Sequence, residues 1–315
     1  MESNTLHFLQ LNPVTAPQPF DSRLFEGPRQ GLVYASNSVS RDGFIIRSVS
    51  SPPHRSEIKV SIVICTYGRP ESLNETLYSL TKQTFKDFEV LLITEKGNLA
   101  ELRQKGLKSA VGRICSFIDD DVYCPPGWLQ GVVECFREGV LGVSGPTEIK
   151  EEYRKNRDII RYRFFNKLYH SFFIGKGRHL PGYISDCGAC STKSNDSDCD
   201  YEGSVGYLEC CNMSILRKES LDVGGFKREY IRTGEWSEVD LSLSLATRGN
   251  LLFSKSCRLE HRPSKAGIYK DRVDTSHRWK NFKTFQRIWI KPSFKRTVYW
   301  AFIWSYFKLK QLGWV

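Results

Sequence analysis

"IKVSIVICTYGRPESLNETLYSLTKQTFKDFEVLLITEKGNLAELRQKGLKSAVGRICSFIDDD" runs from Ile58 to Asp121, and its changes of hydrophobic pattern decide the fold. "IKVSIVICT" (Ile58–Thr66) is a near-continuous β-branched run, as expected of a strand buried on both faces. "YGRP" breaks it. Ser72 and Glu75 then have the spacing of a capping box, opening a helix that buries Leu73, Leu77 and Leu80. "FEVLLIT" (Phe88–Thr94) reads as a second buried strand, "AELRQKGLKSA" as a second helix and "RICSFID" as a third strand. Strand and helix alternating at this spacing predict an α/β domain, with a Rossmann-like, mainly parallel central sheet flanked by crossover helices.

Open sheets of this kind place ligands at the C-terminal ends of their strands. All three ends here are polar: Thr66-Tyr67-Gly68-Arg69, then Thr94-Glu95, then Asp119, Asp120 and Asp121. Neighbouring carboxylates repel, and at the edge of a core they lose solvation, so the triplet calls for a cation. Hard carboxylate oxygens select Mg2+ or Mn2+, ions held by one or two carboxylates together with substrate phosphates. Taken alone, the triplet also fits a solvated acidic turn or a helix N-cap before "PPGWL".

Elsewhere the signals are coarser. At 315 residues and 40% hydrophobic composition, the chain can form one large α/β domain or two smaller ones. Residues 1–57 read as an N-terminal extension and linker, with a hairpin expected around Arg41-Asp42-Gly43. "GVLGVSGPTEI" reads as one strand. In "EVDLSLSLATRG" the alternation of Val239, Leu241, Leu243 and Leu245 suggests a strand, but the acidic start, basic end and closing Gly249 favour a helix. Cys187-x-x-Cys190, Cys199 and the Cys210-Cys211 pair lack a clean second Cys-x-x-Cys, so packing explains them better than zinc.

The formal charge is +11, and Lys265 to Lys310 holds +10 of it, with twelve basic residues against Asp271 and Asp274. An anionic partner at that end is implied: phospholipid, nucleic acid or a phosphorylated substrate. The same segment is rich in Trp, Phe and Tyr. Three readings fit it: helices packed on the domain with a basic outer face, an element lying at a membrane interface, or a nucleic-acid binder. "VYWAFIWSYF" (Val298–Phe307) is half the length needed to cross a bilayer. The N-terminus has neither a basic n-region nor an apolar h-region, so a cytoplasmic location is expected, peripheral at the inner face of the plasma membrane, with reduced cysteines.

Six motifs occur in an order that resembles the inverting glycosyltransferases of family 2: "VSIVICTYGRPESLNETLYSLTKQTFKDFEVLLI", "NLAELRQKGLKSAVGRICSFIDDDV", "LECCNMSILRK", "GGF", "SEVDLSLSLATRG" and "LEHRP". The resemblance implies a GT-A fold over residues 58–263, followed by a basic, aromatic, helical segment over 264–315. It also implies a nucleotide-diphospho-sugar donor, a saccharide or lipid-linked acceptor, and Mn2+ or Mg2+. By the same resemblance Thr66, Tyr67, Arg69 and Glu71 hold the base and ribose, and Arg103 faces the nucleotide. Asp119 and Asp120 hold the ribose and metal, Asp121 is the principal metal ligand, and His261 completes the metal shell.

Glu238 matches the catalytic base, with Asp240 as the fallback. This chain departs from the family twice. "SEVDL" puts Glu where Asp is common, and "ITEKGN" leaves Glu95 where an Asp usually reads the base. Two other activities compete. A sugar-phosphate nucleotidyltransferase would need an early Gly-rich basic loop, which the chain lacks, and a non-catalytic nucleic-acid binder has only the basic segment in its favour.

Overall fold

The computed structural model describes residues 44–48, 59–149, 160–191, 193–195, 199–263 and 275–312. Eleven strands lie in these residues: β1 (Phe44–Ser48), β2 (Val60–Cys65), β3 (Phe88–Ile93), β4 (Ile114–Ile118), β5 (Val122–Tyr123), β6 (Val140–Ser144), β7 (Thr147–Ile149), β8 (Gly203–Ser204), β9 (Asn212–Leu216), β10 (Asn250–Phe253) and β11 (Leu259–His261). Eight α-helices accompany them: α1 (Pro70–Thr81), α2 (Leu99–Ser109), α3 (Trp128–Cys135), α4 (Ile160–Leu168), α5 (Arg217–Asp222), α6 (Ser237–Ala246), α7 (Ser276–Trp289) and α8 (Phe294–Gln311).

The large sheet runs β1-β3-β2-β4-β9-β6-β10-β8, and β5-β11-β7 form a small second sheet. β1, β3, β2 and β4 are mutually parallel, β9 is antiparallel to both of its neighbours, and β10 is again parallel to β6. The expected α/β architecture, a largely parallel central sheet flanked by helices, is what the chain adopts. β1 falls within the stretch expected to be a linker and forms the sheet's edge; the rest of the hairpin expected there lies outside the described residues.

Alternation along the strands divides the core between the two faces of the sheet. Val60, Ile62, Ile64, Phe88, Val90 and Ile118 pack with Leu73, Leu77 and Leu80 of α1, while Val63, Leu91, Ile93 and Phe117 pack with α2 and α6. Contact on the second face is close. A Cβ at Gly106 of α2 would lie 2.5 Å from a Val63 methyl, so that helix sits on β2 only because the position is glycine.

Three local expectations need correction. Ser72 and Glu75 do not cap α1, which begins at Pro70 with Arg69 as N-cap and no side-chain cap bond. The proline ring pre-sets the first helical φ, and Glu75 instead pairs with Arg262 at 3.2 Å. "GVLGVSGPTEI" is two strands, because Gly145-Pro146 turns the chain from the large sheet to the small one. The helix expected over "EVDLSLSLATRG" is present as α6, but its C-cap is Thr247 rather than a left-handed glycine.

Residues 276–311 carry α7 and α8, which bury Phe282, Tyr299, Ile303 and Phe307 against Phe173, Ile174, Cys187 and Ala189. Packing therefore accounts for much of the aromatic content of that segment.

Candidate active site

β2, β3 and β4 deliver their C-terminal ends side by side, and the loops leaving them carry most of the candidate residues. The small sheet adds the one from far away. β11 pairs antiparallel with β5, with His261 opposite Val122, and the Arg262 amide donates to the Asp121 carbonyl at 2.8 Å. This pairing brings His261 Nε2 to 3.1 Å from Asp121 Oδ1 across 140 residues of chain. Asn212 of β9 braces the strand: its amide donates to the carbonyls of Gly145 (3.1 Å) and Cys257 (2.8 Å), just ahead of β7 and β11.

Asp119, Asp121 and His261 each offer one ligand atom, all within 4.8 Å of one another, and no other such group of three occurs among the described residues. Two carboxylates and an imidazole fit a small divalent ion. Asp120 faces elsewhere. It is fully buried, hydrogen-bonded by Thr66 and clasped by Arg69, whose Nε lies 3.1 Å from Oδ2. Burial pushes the Asp120 carboxyl up to about 7 against the pull of Arg69. Arg69 also donates to Asp121 Oδ2 at 2.9 Å, so one guanidinium joins both carboxylates.

Among the residues expected to meet a nucleotide, Tyr67 is exposed with the Lys96 ammonium 5.9 Å from its ring centre. Glu71 is exposed in the first turn of α1. Glu95 is exposed and paired with Lys105 of α2. Arg103 is buried, 4.0 Å from Asp119 Oδ1, and its charge also acts on Glu238.

Glu238 reaches this neighbourhood because the loop before α6 abuts the start of α2. The Leu99 amide donates to the Arg232 carbonyl at 2.7 Å, and a Cβ at Gly234, whose φ of +64° itself favours glycine, would sit a tight 3.1 Å from the Ala100 nitrogen. Trp236, directly before α6, has φ +67°, a left-handed conformation that costs a non-glycine residue roughly 1–2 kcal/mol. Its ring packs on Phe282 of α7, with centroids 5.5 Å apart. Burial raises the Glu238 carboxyl above the ordinary carboxylate range, opposed by Arg103.

Asp240, two residues on, has a different environment. It is fully buried, with Lys227 Nζ 2.8 Å from Oδ2 and Trp289 Nε1 2.5 Å from Oδ1. It thus joins α6 to α7. Lys227→Met should destabilise the fold by about 3–5 kcal/mol in urea unfolding, since it strips a buried carboxylate of its cation.

Sequence reasoning missed Glu209. This half-buried carboxylate accepts from Ser194 at 2.5 Å; burial raises it, and the His261 charge acts on it. Nothing in "LECCN" separates Glu209 from a solvated glutamate without the tertiary structure. The cysteines around it have separate neighbours: Cys187 lies by Ser185, Cys210 by Met213 and Cys211 by Thr147.

Residues 93–196 match a family model described as glycosyl transferase family 2. The glucosyl-dolichyl phosphate glucuronosyltransferase of Haloferax volcanii is 22% identical over 264 residues, covering 72% of this chain and 74% of that protein. Among solved structures, a mannosyltransferase from Pyrobaculum calidifontis in complex with GDP-Man and Mn2+ aligns with a TM-score of 0.47 and 15% identity, over 80% of this chain and 69% of that one. GalNAc-T7 with UDP, GalNAc and Mn2+ aligns at 0.44 and 11% identity, over 80% of this chain and 50% of that one. With its motifs in order and these sequence matches, the chain is a glycosyltransferase. The span matched to family 2 holds Arg103 and the Asp119–Asp121 triplet.

Proposed function

We propose that the chain transfers a sugar from a nucleoside-diphospho-sugar to an acceptor hydroxyl in a single displacement that inverts the anomeric centre, using Mn2+ or Mg2+. What supports this reading best is the convergence of Asp119, Asp121 and His261 at the strand ends, with Arg103 set between Asp119 and the charge of Glu238. A divalent ion bound there would neutralise charge gathering on the departing diphosphate. Arg69 fixes Asp121 for that task while occupying Asp120. Thr66, Tyr67, Glu71 and Glu95 are assigned to the nucleoside side.

Glu238 is assigned as the base that takes the proton from the acceptor hydroxyl as it attacks. Asp240 is assigned to bracing, because Lys227 and Trp289 already hold its carboxylate. The Haloferax relative carries glucosyl-dolichyl phosphate in its name, and a lipid-linked saccharide is the acceptor class assigned here. Residues 58–263 would form the transferase unit and 264–315 the segment that supports it.

A thermal-shift screen of UDP-, GDP-, dTDP- and CMP-sugars, with and without Mn2+, tests the donor half of the proposal. One donor should raise the Tm only when the ion is present; at 100 times Kd the stabilisation is about 2.7 kcal/mol. Indifference to every donor, coupled with steeply salt-dependent binding to oligonucleotides, would instead favour a nucleic-acid binder.

A further inference from the structure

We infer that the outer face of α8, with the helical run ahead of Gly175 beside it, is a docking surface for an anionic phospholipid bilayer. The inference goes beyond the sugar-transfer reading and does not rest on it. α4 continues as a π-helix over Tyr169–Ile174, and the combined run lies along α8. Phe165 stacks near Phe302 and Tyr306 at 5.6 and 6.0 Å, while Phe173 lies 4.9 Å from both Tyr299 and Phe302.

Those rings form the inner seam. Others point outward: Phe172 is 71% exposed, Phe294 85% and Trp304 49%. A solvated helix face ordinarily carries charges. α8 has none from Thr297 to Phe307, and its outward positions there include Val298, Ala301 and Trp304. Its cations stand at the two ends, Lys295 and Arg296 at the start and Lys308 and Lys310 near the finish. Lys308 Nζ lies 5.9 Å from the Trp304 ring centre.

Charge decides what this face meets. Residues 164–180 and 275–312 together contain twelve Lys and Arg and no Asp or Glu. Among the described residues, Arg278 pairs with Glu235 and Lys295 with Asp186. A second copy would bring like charges together. A bilayer of anionic headgroups suits both components, with indole and phenyl rings at headgroup depth and cations against lipid phosphates. The 18 residues of α8 span about 27 Å, enough to lie along such a surface. No described helix is long and apolar enough to cross it.

The test is co-sedimentation of the full chain with vesicles of phosphatidylcholine alone and of phosphatidylcholine mixed with phosphatidylglycerol. The chain should pellet with the mixed vesicles and remain in solution with the neutral ones. Phe172→Ser, Phe294→Ser and Trp304→Ser combined should weaken that partition about tenfold or more. The triple variant should keep the wild-type Tm and donor-induced shift, which separates loss of docking from loss of fold or of the transferase reading. Three results would overturn the inference: wild-type chain left in the supernatant with mixed vesicles, a triple variant that pellets as well as wild type, or oligonucleotide binding that depends on the same three rings.

Discussion

Glu238→Gln should lower turnover about 10²–10⁴-fold, the usual cost of removing a general base, with little change in donor binding. Glutamine keeps the shape of the side chain beside Ser237, whose Oγ lies 3.4 Å from Glu238 Oε2, but cannot take a proton. The pH dependence carries further information. Burial raises the Glu238 carboxyl, and the base works only when deprotonated, so wild-type turnover should climb with pH through a midpoint above the ordinary carboxylate range. The glutamine variant should lose that acid limb. Asp240→Asn should keep it while losing stability, because its carboxylate is committed to Lys227 and Trp289. Full activity in a Glu238→Gln, Asp240→Asn double variant would remove the base from this helix altogether.

Asp121→Asn is expected to be comparably severe for a different reason. The substitution removes an anionic ligand 3.1 Å from His261 and one of the two carboxylates clasped by Arg69. Metal stabilisation of departing charge is worth several kcal/mol, so a loss of about 10²-fold or more in turnover follows at ~1.4 kcal/mol per tenfold. The diagnostic measurement is the Mn2+ dependence of the donor-induced Tm shift. Wild type should show the shift once the ion is supplied; the variant should need far more ion or show none. An unchanged Mn2+ response in Asp121→Asn would sink the ligand assignment.

Much of this site was legible because its parts sit at strand ends in a local pattern. The β-branched runs at Val60, Phe88 and Ile114 locate three parallel strands, and whatever follows such a strand lies at the ligand edge. Thr66, Arg69 and the aspartate triplet could therefore be placed without tertiary information. α6 was legible through its charge polarity, even though its hydrophobic alternation pointed to a strand.

What escaped was everything set by long-range pairing. Gly145-Pro146 marks a break, but no local signal says which sheet Thr147–Ile149 joins or that residues 44–48 pair with β3. The triplet divides its labour in a way sequence cannot express: Asp119 and Asp121 turn toward His261, while Asp120 turns inward to Arg69. Asp240 looked like a spare base because its partners, Lys227 and Trp289, are 13 and 49 residues away. The aromatic segment was ambiguous because the seam and the outer face use the same residue types, and only burial separates Tyr299 from Trp304.

The pairing of β11 with β5 has a consequence for how this scaffold can diversify. Because a hydrogen-bonded register, not the length of the intervening polypeptide, sets His261 beside Asp121, surface loops between α3 and β10 can grow or shrink without moving that pair, provided β7 and Asn212 keep their places beside β11. On the sugar-transfer reading, a lineage built this way would vary its acceptor through those loops while the Asp121–His261 pair stays anchored by two short strands.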